Sequence, residues 1–270
     1  MSTHSDMDMP ADTLHALIEL HRGLERQGPG DAEFARALLH SLPSLPASPR
    51  IADLGCGSGA AALMLASYFA GPILAVDLAR EFLDELETRA TAAGVADRVT
   101  AIQADMGALN WPPKSIDLLW SEGAAYSLGF ERALISWRPL LADHGIAVVS
   151  EMSWFTRQPD PAALAFWKDG YPTMADEAEN RERALRAGYR VLDTRRLPSQ
   201  AWWDNYYGPL RHRMQTLVAN PVLQAVIQET TEEMALFEQF SDQYGYVFYV
   251  LAANGHPAPT SPGNERGLHA

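Results

Sequence analysis

Apolar runs alternate with amphipathic stretches along the first 150 residues. Leu14–Leu24 puts Leu14, Leu17, Ile18 and His21 on one helical face. Gln27-Gly28-Pro29-Gly30 reads as a turn, with Asp31 as N-cap of a helix over Ala32–Ser41. Pro43, Pro46 and Pro49 mark a loop before an apolar strand at about Arg50–Leu54. Four further strand signals follow, at Pro72–Leu78, Val99–Gln103, Ile116–Trp120 and Gly145–Glu151. Helices are predicted over Ala60–Ala70, Glu81–Ala93 and Glu131–Leu141. Continuous apolar strands alternating with helices predict a parallel sheet covered on both faces.

The pattern changes after Met152. It predicts a loop, helices near Pro161–Asp169 and Met174–Ala187, and a strand over Tyr189–Leu197. Ser199 is placed to cap a short helix carrying Trp202, Trp203, Tyr206 and Tyr207, which Gly208-Pro209 is expected to break or restart. A helix over Pro221–Phe240 and an apolar, aromatic strand over Tyr244–Ala252 complete the pattern. The fold expected is therefore one α/β domain over residues 13–253, with a core at 50–151 and an insertion at about 152–243 acting as lid and substrate-binding segment. Residues 1–12 read as a flexible lead-in and 254–270 as a disordered tail.

Charge narrows the partners. The 34 acids against 21 Lys and Arg give a net charge of -13, which repels phosphate backbones and anionic lipid. The densest basic stretch (Arg181, Arg183, Arg186, Arg190, Arg195, Arg196) is interleaved with acids and reads as a solvated face. One cysteine, Cys56, permits no internal disulfide and fits a cytoplasmic location. No apolar run approaches the roughly 20 residues that span a bilayer. The expected partner is a small molecule, without nucleic acid or membrane; oligomeric state stays open, a homodimer included. The eight His residues show no metal-ligand spacing, so no metal is expected.

The chemistry concentrates in Ile51-Ala52-Asp53-Leu54-Gly55-Cys56-Gly57-Ser58-Gly59. An apolar strand ends in an acid, and a glycine loop leads into an Ala-rich helix. Such a loop lets a ligand lie against bare main chain, and its N–H groups are expected to favour a carboxylate. Gly55-x-Gly57-x-x-Ala60 also fits the loose dinucleotide pattern, so spacing alone leaves a nicotinamide dehydrogenase open. Charge separates the two: a pyrophosphate would meet the Asp53 carboxylate, whereas the sulfonium and ammonium of S-adenosylmethionine are cations. Asp77, past the second strand, is placed to accept ribose hydroxyls. Asp105-Met106, past the third, can reach an adenine.

Ile51–Gly59, Val76-Asp77, Ala104-Asp105-Met106 and Ser121-Glu122-Gly123-Ala124 resemble the successive motifs of class I S-adenosylmethionine-dependent methyltransferases. The resemblance covers about residues 50–151 and implies a doubly wound, seven-stranded, mostly parallel Rossmann-like sheet whose seventh strand, Tyr244–Ala252, is antiparallel. Arg26-Gln27-Gly28-Pro29-Gly30 and Gly245-Tyr246-Val247-Phe248-Tyr249 resemble a group of small bacterial methyltransferases of mostly unassigned substrate. By that likeness Gln27 and Gly28 lie near the methionine end of the cofactor. The cofactor site expected is Gln27, Gly28, Asp53, Gly55, Cys56, Gly57, Asp77, Leu78, Asp105, Met106 and Glu122. The implied activity is methyl transfer to a small molecule by in-line displacement; a protein that binds the cofactor without turnover remains the other alternative. Glu122 and Glu151, at the ends of strands four and five, are candidate catalytic bases. Tyr126, Trp154, Trp202 and Tyr206 are the candidate acceptor-binding residues, the aromatics of the insertion roofing the pocket.

Overall fold

The computed structural model describes residues 10–218 and 220–253. The predicted tail at 254–270 and most of the predicted lead-in lie outside the described residues. The lead-in is shorter than expected, because helix α1 (Ala11–His21) already includes Ala11 and Asp12.

Five strands follow one another at the spacing the apolar runs predict: β1 (Ile51–Leu54), β2 (Ile73–Asp77), β3 (Val99–Gln103), β4 (Ile116–Ser121) and β5 (Leu141–Trp154). A two-residue strand β6 (Ala175–Asp176) pairs with the end of β5. β7 (Tyr189–Arg196) and β8 (Tyr244–Ala253) complete the sheet, in the order β3-β2-β1-β4-β5-β8-β7. The first five are parallel and β8 runs antiparallel to β5 and β7. This is the doubly wound, mostly parallel, Rossmann-like sheet expected from the sequence, with seven strands in the main path. Strand order reverses between β1 and β4, and that switch point opens a crevice at the carboxyl ends of the strands.

Strand β5 is longer than its apolar run, because β8 pairs with it from Ile146↔Ala252 to Trp154↔Tyr244. Both strands are buried along that stretch, so Glu151 and Ser153 enter the sheet through pairing despite their polarity. Helix α2 (Ala32–Ser41) begins as predicted, with Asp31 accepting from Phe34 N at 2.7 Å. α3 (Ala60–Tyr68) and α4 (Arg80–Ala92) follow β1 and β2. α5 (Phe130–Trp137) ends in a short 3-10 turn at Arg138–Leu140. α6 (Pro161–Gly170) and α7 (Glu177–Arg186) lie in the insertion. Four arginines of α7 and β7 are paired with acids: Arg183 with Glu179, Arg186 with Glu131 and Glu179, Arg195 with Asp193, Arg196 with Glu177.

The aromatic segment departs from a regular helix. α8 (Ser199–Trp202) passes into a π-helical turn over Trp203–Tyr207 and then α9 (Gly208–Thr216), with Pro209 in its first turn. Ser199 is the first helical residue and caps nothing; Pro198 holds the cap position. The wider π turn brings the Trp202 and Tyr207 rings to 5.7 Å, a pair that regular helical spacing separates. Trp202 stacks on Phe237 of α10 (Pro221–Phe240) at 4.2 Å. Phe237 also meets Tyr207 and Tyr244, joining the insertion to the sheet. Phe237→Ala is expected to cost about 3–5 kcal/mol of unfolding free energy. Urea denaturation measures it, and a loss below about 1 kcal/mol would show that this cluster does not hold the insertion.

Candidate ligand cavity

The turn after β1 is tighter than a ligand cradle. Gly55 has φ +73° and Gly57 φ +51°; a Cβ on Gly55 would lie 2.2 Å from Ala124 Cβ, and one on Gly57 would lie 2.4 Å from Gln27 Oε1. All five N–H groups of the loop have partners inside the protein. Gly55 and Cys56 donate to Val76 O, Gly59 to Cys56 O, Gly57 to Asp77 Oδ2 and Ser58 to Gln27 Oε1. The expectation that they cradle a carboxylate is corrected: they hold the turn itself. Asp77 accepts from both Gly57 and Ala79, so it too braces the loop besides facing the cavity. Asp105 similarly accepts from Gly107 N at 2.7 Å.

A cavity of about 490 Å³ opens above this turn. All eleven residues predicted for the cofactor line it, from Gln27 and Gly28 through Asp53, Gly55, Cys56 and Gly57 to Asp77, Leu78, Asp105, Met106 and Glu122. Tyr126 lines it as well. Trp154, Trp202 and Tyr206 do not; they are buried in the aromatic core. No described residue of 152–243 lines the cavity, so the insertion is not its roof. That wall is instead one face of α1: Leu14, Leu17, Ile18 and His21. The insertion packs behind, α10 and α9 holding α1 in place. Tyr206 meets the cavity wall through His21, its hydroxyl 3.1 Å from Nε2.

Three acids named from the sequence, Asp53, Glu122 and Glu151, have different surroundings. Asp53 is 1% exposed and its Oδ2 has no hydrogen-bond partner. Burial first, and then the neighbouring Glu122 and Asp77, push its pKa well above the usual carboxylate range. Its neutral form is thereby favoured, and a nearby cation would favour the charged one. Glu122 is held by Arg26 at 2.9 Å and by Trp120 Nε1 at 2.8 Å. Both members of the Arg26–Glu122 pair are nearly buried. Arg26, absent from the predicted site, thus supplies the cation; its place directly before Gln27 in the quoted motif was the available signal. Glu151 does not line the cavity. It is buried with Oε2 unpartnered, and desolvation pushes its pKa up to about 8. It sits beside Tyr171, whose ring meets Tyr126 edge-on at 6.1 Å.

His21 is neutral, because burial pushes its pKa down to about 4. Nδ1 lies 2.9 Å from Leu17 O, which only accepts, so Nδ1 carries the proton and Nε2 accepts from Tyr206. Among the described residues no group of acids, His or Cys could hold a metal ion, and no helix is long and apolar enough to cross a membrane.

Comparison with known proteins places this cavity in context. Residues 51–145 match the family model described as methyltransferase domain. A ribosomal protein arginine N-methyltransferase of Schizosaccharomyces pombe is 28% identical over 134 residues, 46% of this chain; the match spans about a quarter (24%) of that relative's length. Among solved structures, a methyltransferase from Geobacter sulfurreducens in complex with S-adenosylhomocysteine superposes with a TM-score of 0.74 at 20% identity, over 90% of this chain and 98% of that one. A second S-adenosylhomocysteine complex, from Thiobacillus denitrificans, gives 0.72 at 21% identity over 92% and 100%. YjhP from E. coli gives 0.78 at 19% identity over 89% and 100%. At these identities the likeness is one of fold.

The buried acid beside Tyr171 has a signature in stability. Glu151 binds its proton more tightly folded than unfolded, so its contribution is present at low pH and is lost as pH rises from about 4.5 toward about 8. Glu151→Gln removes that loss. Denaturation at pH 5 and pH 8 is expected to show the variant gaining on the parent at the higher pH; equal differences at both would place Glu151 in a solvated setting.

Proposed function

We propose that this chain, whose residues 51–145 match a methyltransferase domain model and whose fold resembles that of solved methyltransferases, is an S-adenosylmethionine-dependent methyltransferase acting on a small molecule. One observation carries the reading. The cavity floor offers a buried carboxyl, Asp53, whose Oδ2 is unpartnered, beside a glycine turn whose N–H groups are all engaged. A phosphorylated coenzyme needs the opposite: free N–H donors and no facing acid. A cationic, phosphate-free nucleoside suits the floor as it stands.

The donor set fits that cofactor. Asp53 is placed to ionise against positive charge. The Arg26–Glu122 pair presents both signs at close range, which suits the carboxylate and ammonium of an amino acid head group. Asp77 keeps acceptor capacity for ribose hydroxyls beyond its two backbone bonds, and Leu78, Asp105 and Met106 form the adenine end. Bound there, S-adenosylmethionine supplies an already activated methyl group on a sulfonium.

The remaining work falls to positioning and water exclusion. α1 covers the cavity with Leu14, Leu17 and Ile18, and Tyr126 lies at the acceptor side. A base is required only where the acceptor must lose a proton in the transfer. Glu122, tied to Arg26 and Trp120, serves the cofactor in this reading and not as that base. Glu151 is a reserve acid behind Tyr126 and Tyr171. The acidic chain as a whole is unsuited to nucleic acid, and a cytoplasmic location remains part of the reading.

Titration calorimetry tests it. Both S-adenosylmethionine and S-adenosylhomocysteine are expected to bind, and NAD is not. Asp53→Asn is expected to weaken the sulfonium form about tenfold or more beyond its effect on the neutral product, the loss of one charged partner. Heat from NAD with none from either sulfur compound would overturn the proposal.

A further inference from the structure

We infer that the acceptor is an apolar amine, bound between the exposed-to-cavity face of α1 and the loop around Tyr126. This rests on the methyltransferase reading and adds the chemical class of its second substrate. Beyond the residues assigned to the cofactor, the cavity wall includes the apolar side chains of Leu14, Leu17, Ile18 and Leu128 together with Tyr126. Such a wall binds a hydrocarbon frame by burial.

Charge selects the group that frame carries. Asp77, Glu81, Asp105 and Glu122 line the cavity, against Arg26 and Arg80. Both guanidinium groups are already in ion pairs, Arg26 with Glu122 at 2.9 Å and Arg80 with Glu87 at 2.8 Å. His21 is neutral, and the exposed His15 is the other imidazole on that face. The glycine-turn N–H groups are engaged, so no backbone cradle replaces a missing cation. A phosphate or carboxylate on the acceptor would enter an acidic field with every lining guanidinium already paired. An ammonium is drawn in by the same field, and a tyrosine at the wall accommodates a cation. Behind Tyr126, Tyr171 extends the aromatic character.

The chemistry balances without another reactant. The amine approaches in its neutral form, having given one proton to solvent. Its nitrogen lone pair forms the new N–C bond as the C–S bond breaks. That electron pair stays on sulfur, the positive charge passes to nitrogen, and the surplus N–H proton leaves to solvent.

The test compares matched acceptors on phenylethyl and octyl frames, each as amine, alcohol, carboxylate and phosphate monoester. Calorimetry first measures S-adenosylhomocysteine binding to the full chain; no binding there would sink the underlying reading and not this one specifically. On the loaded protein an amine is expected to bind at least tenfold more tightly than its alcohol, carboxylate and phosphate counterparts, and to be methylated when S-adenosylmethionine is supplied. An anion or alcohol binding as tightly as the matching amine, or loaded protein that binds no amine, overturns the inference. Leu14→Arg places an unpaired cation on the wall, and its S-adenosylhomocysteine binding reports that it is folded. That variant is expected to shift relative affinity at least tenfold toward the carboxylate; an unchanged preference would show that wall charge does not select the acceptor.

Discussion

The turn that ends β1 is held by its own hydrogen bonds, and the rest of the cavity follows from that. Val76 O takes two of the loop's N–H groups, Asp77 a third and Gln27 a fourth, so β2 and the segment before α2 are both fastened to the glycine turn. A bulkier residue at Gly55 would collide with Ala124, and one at Gly57 with Gln27. The turn thus draws together the ends of β1, β2 and β4 at the point where strand order reverses. Asp53 is left beneath it with a buried, unpartnered oxygen.

Two buried acids make the contrast clear. Asp53 and Glu151 are both desolvated, and both have raised pKa values for that reason first. Asp53 lines the cavity, where a cation can restore its charge. Glu151 stands behind Tyr171, outside the lining. Glu122 lies between these cases: it faces the cavity, yet Arg26 and Trp120 already satisfy it. Sequence placed all three at strand ends, and their partners separate their roles.

The roof shows how packing reassigns function among elements. The aromatic insertion has the composition of a binding wall, but its rings spend their surface on one another. Trp202, Tyr207, Phe237 and Tyr244 form a continuous cluster against the sheet. α10 then backs α1, and α1 presents its apolar face to the cavity. The insertion contributes by fixing that helix, and the His21–Tyr206 hydrogen bond is one visible joint between them.

Local sequence determined the alternation of strand and helix, because burial on both faces demands continuous apolar runs and helices demand a 3.6-residue period. It also determined the glycine turn and the order of acids Asp53, Asp77, Asp105 and Glu122, since each lies at or within two residues of the carboxyl end of its strand. The α1 face of Leu14, Leu17, Ile18 and His21 was legible from spacing, though not what it would cover. Only the tertiary structure decided that the turn's N–H groups close on Val76, Asp77 and Gln27, because those partners lie 20 or more residues away in the chain or across a strand pairing. It likewise decided the π turn at Trp203–Tyr207, the extension of β5 by β8, and the choice of α1 over the insertion as the cavity wall. Each depends on which surfaces meet, and residue pattern along one chain segment carries no information about the segment that will pack against it.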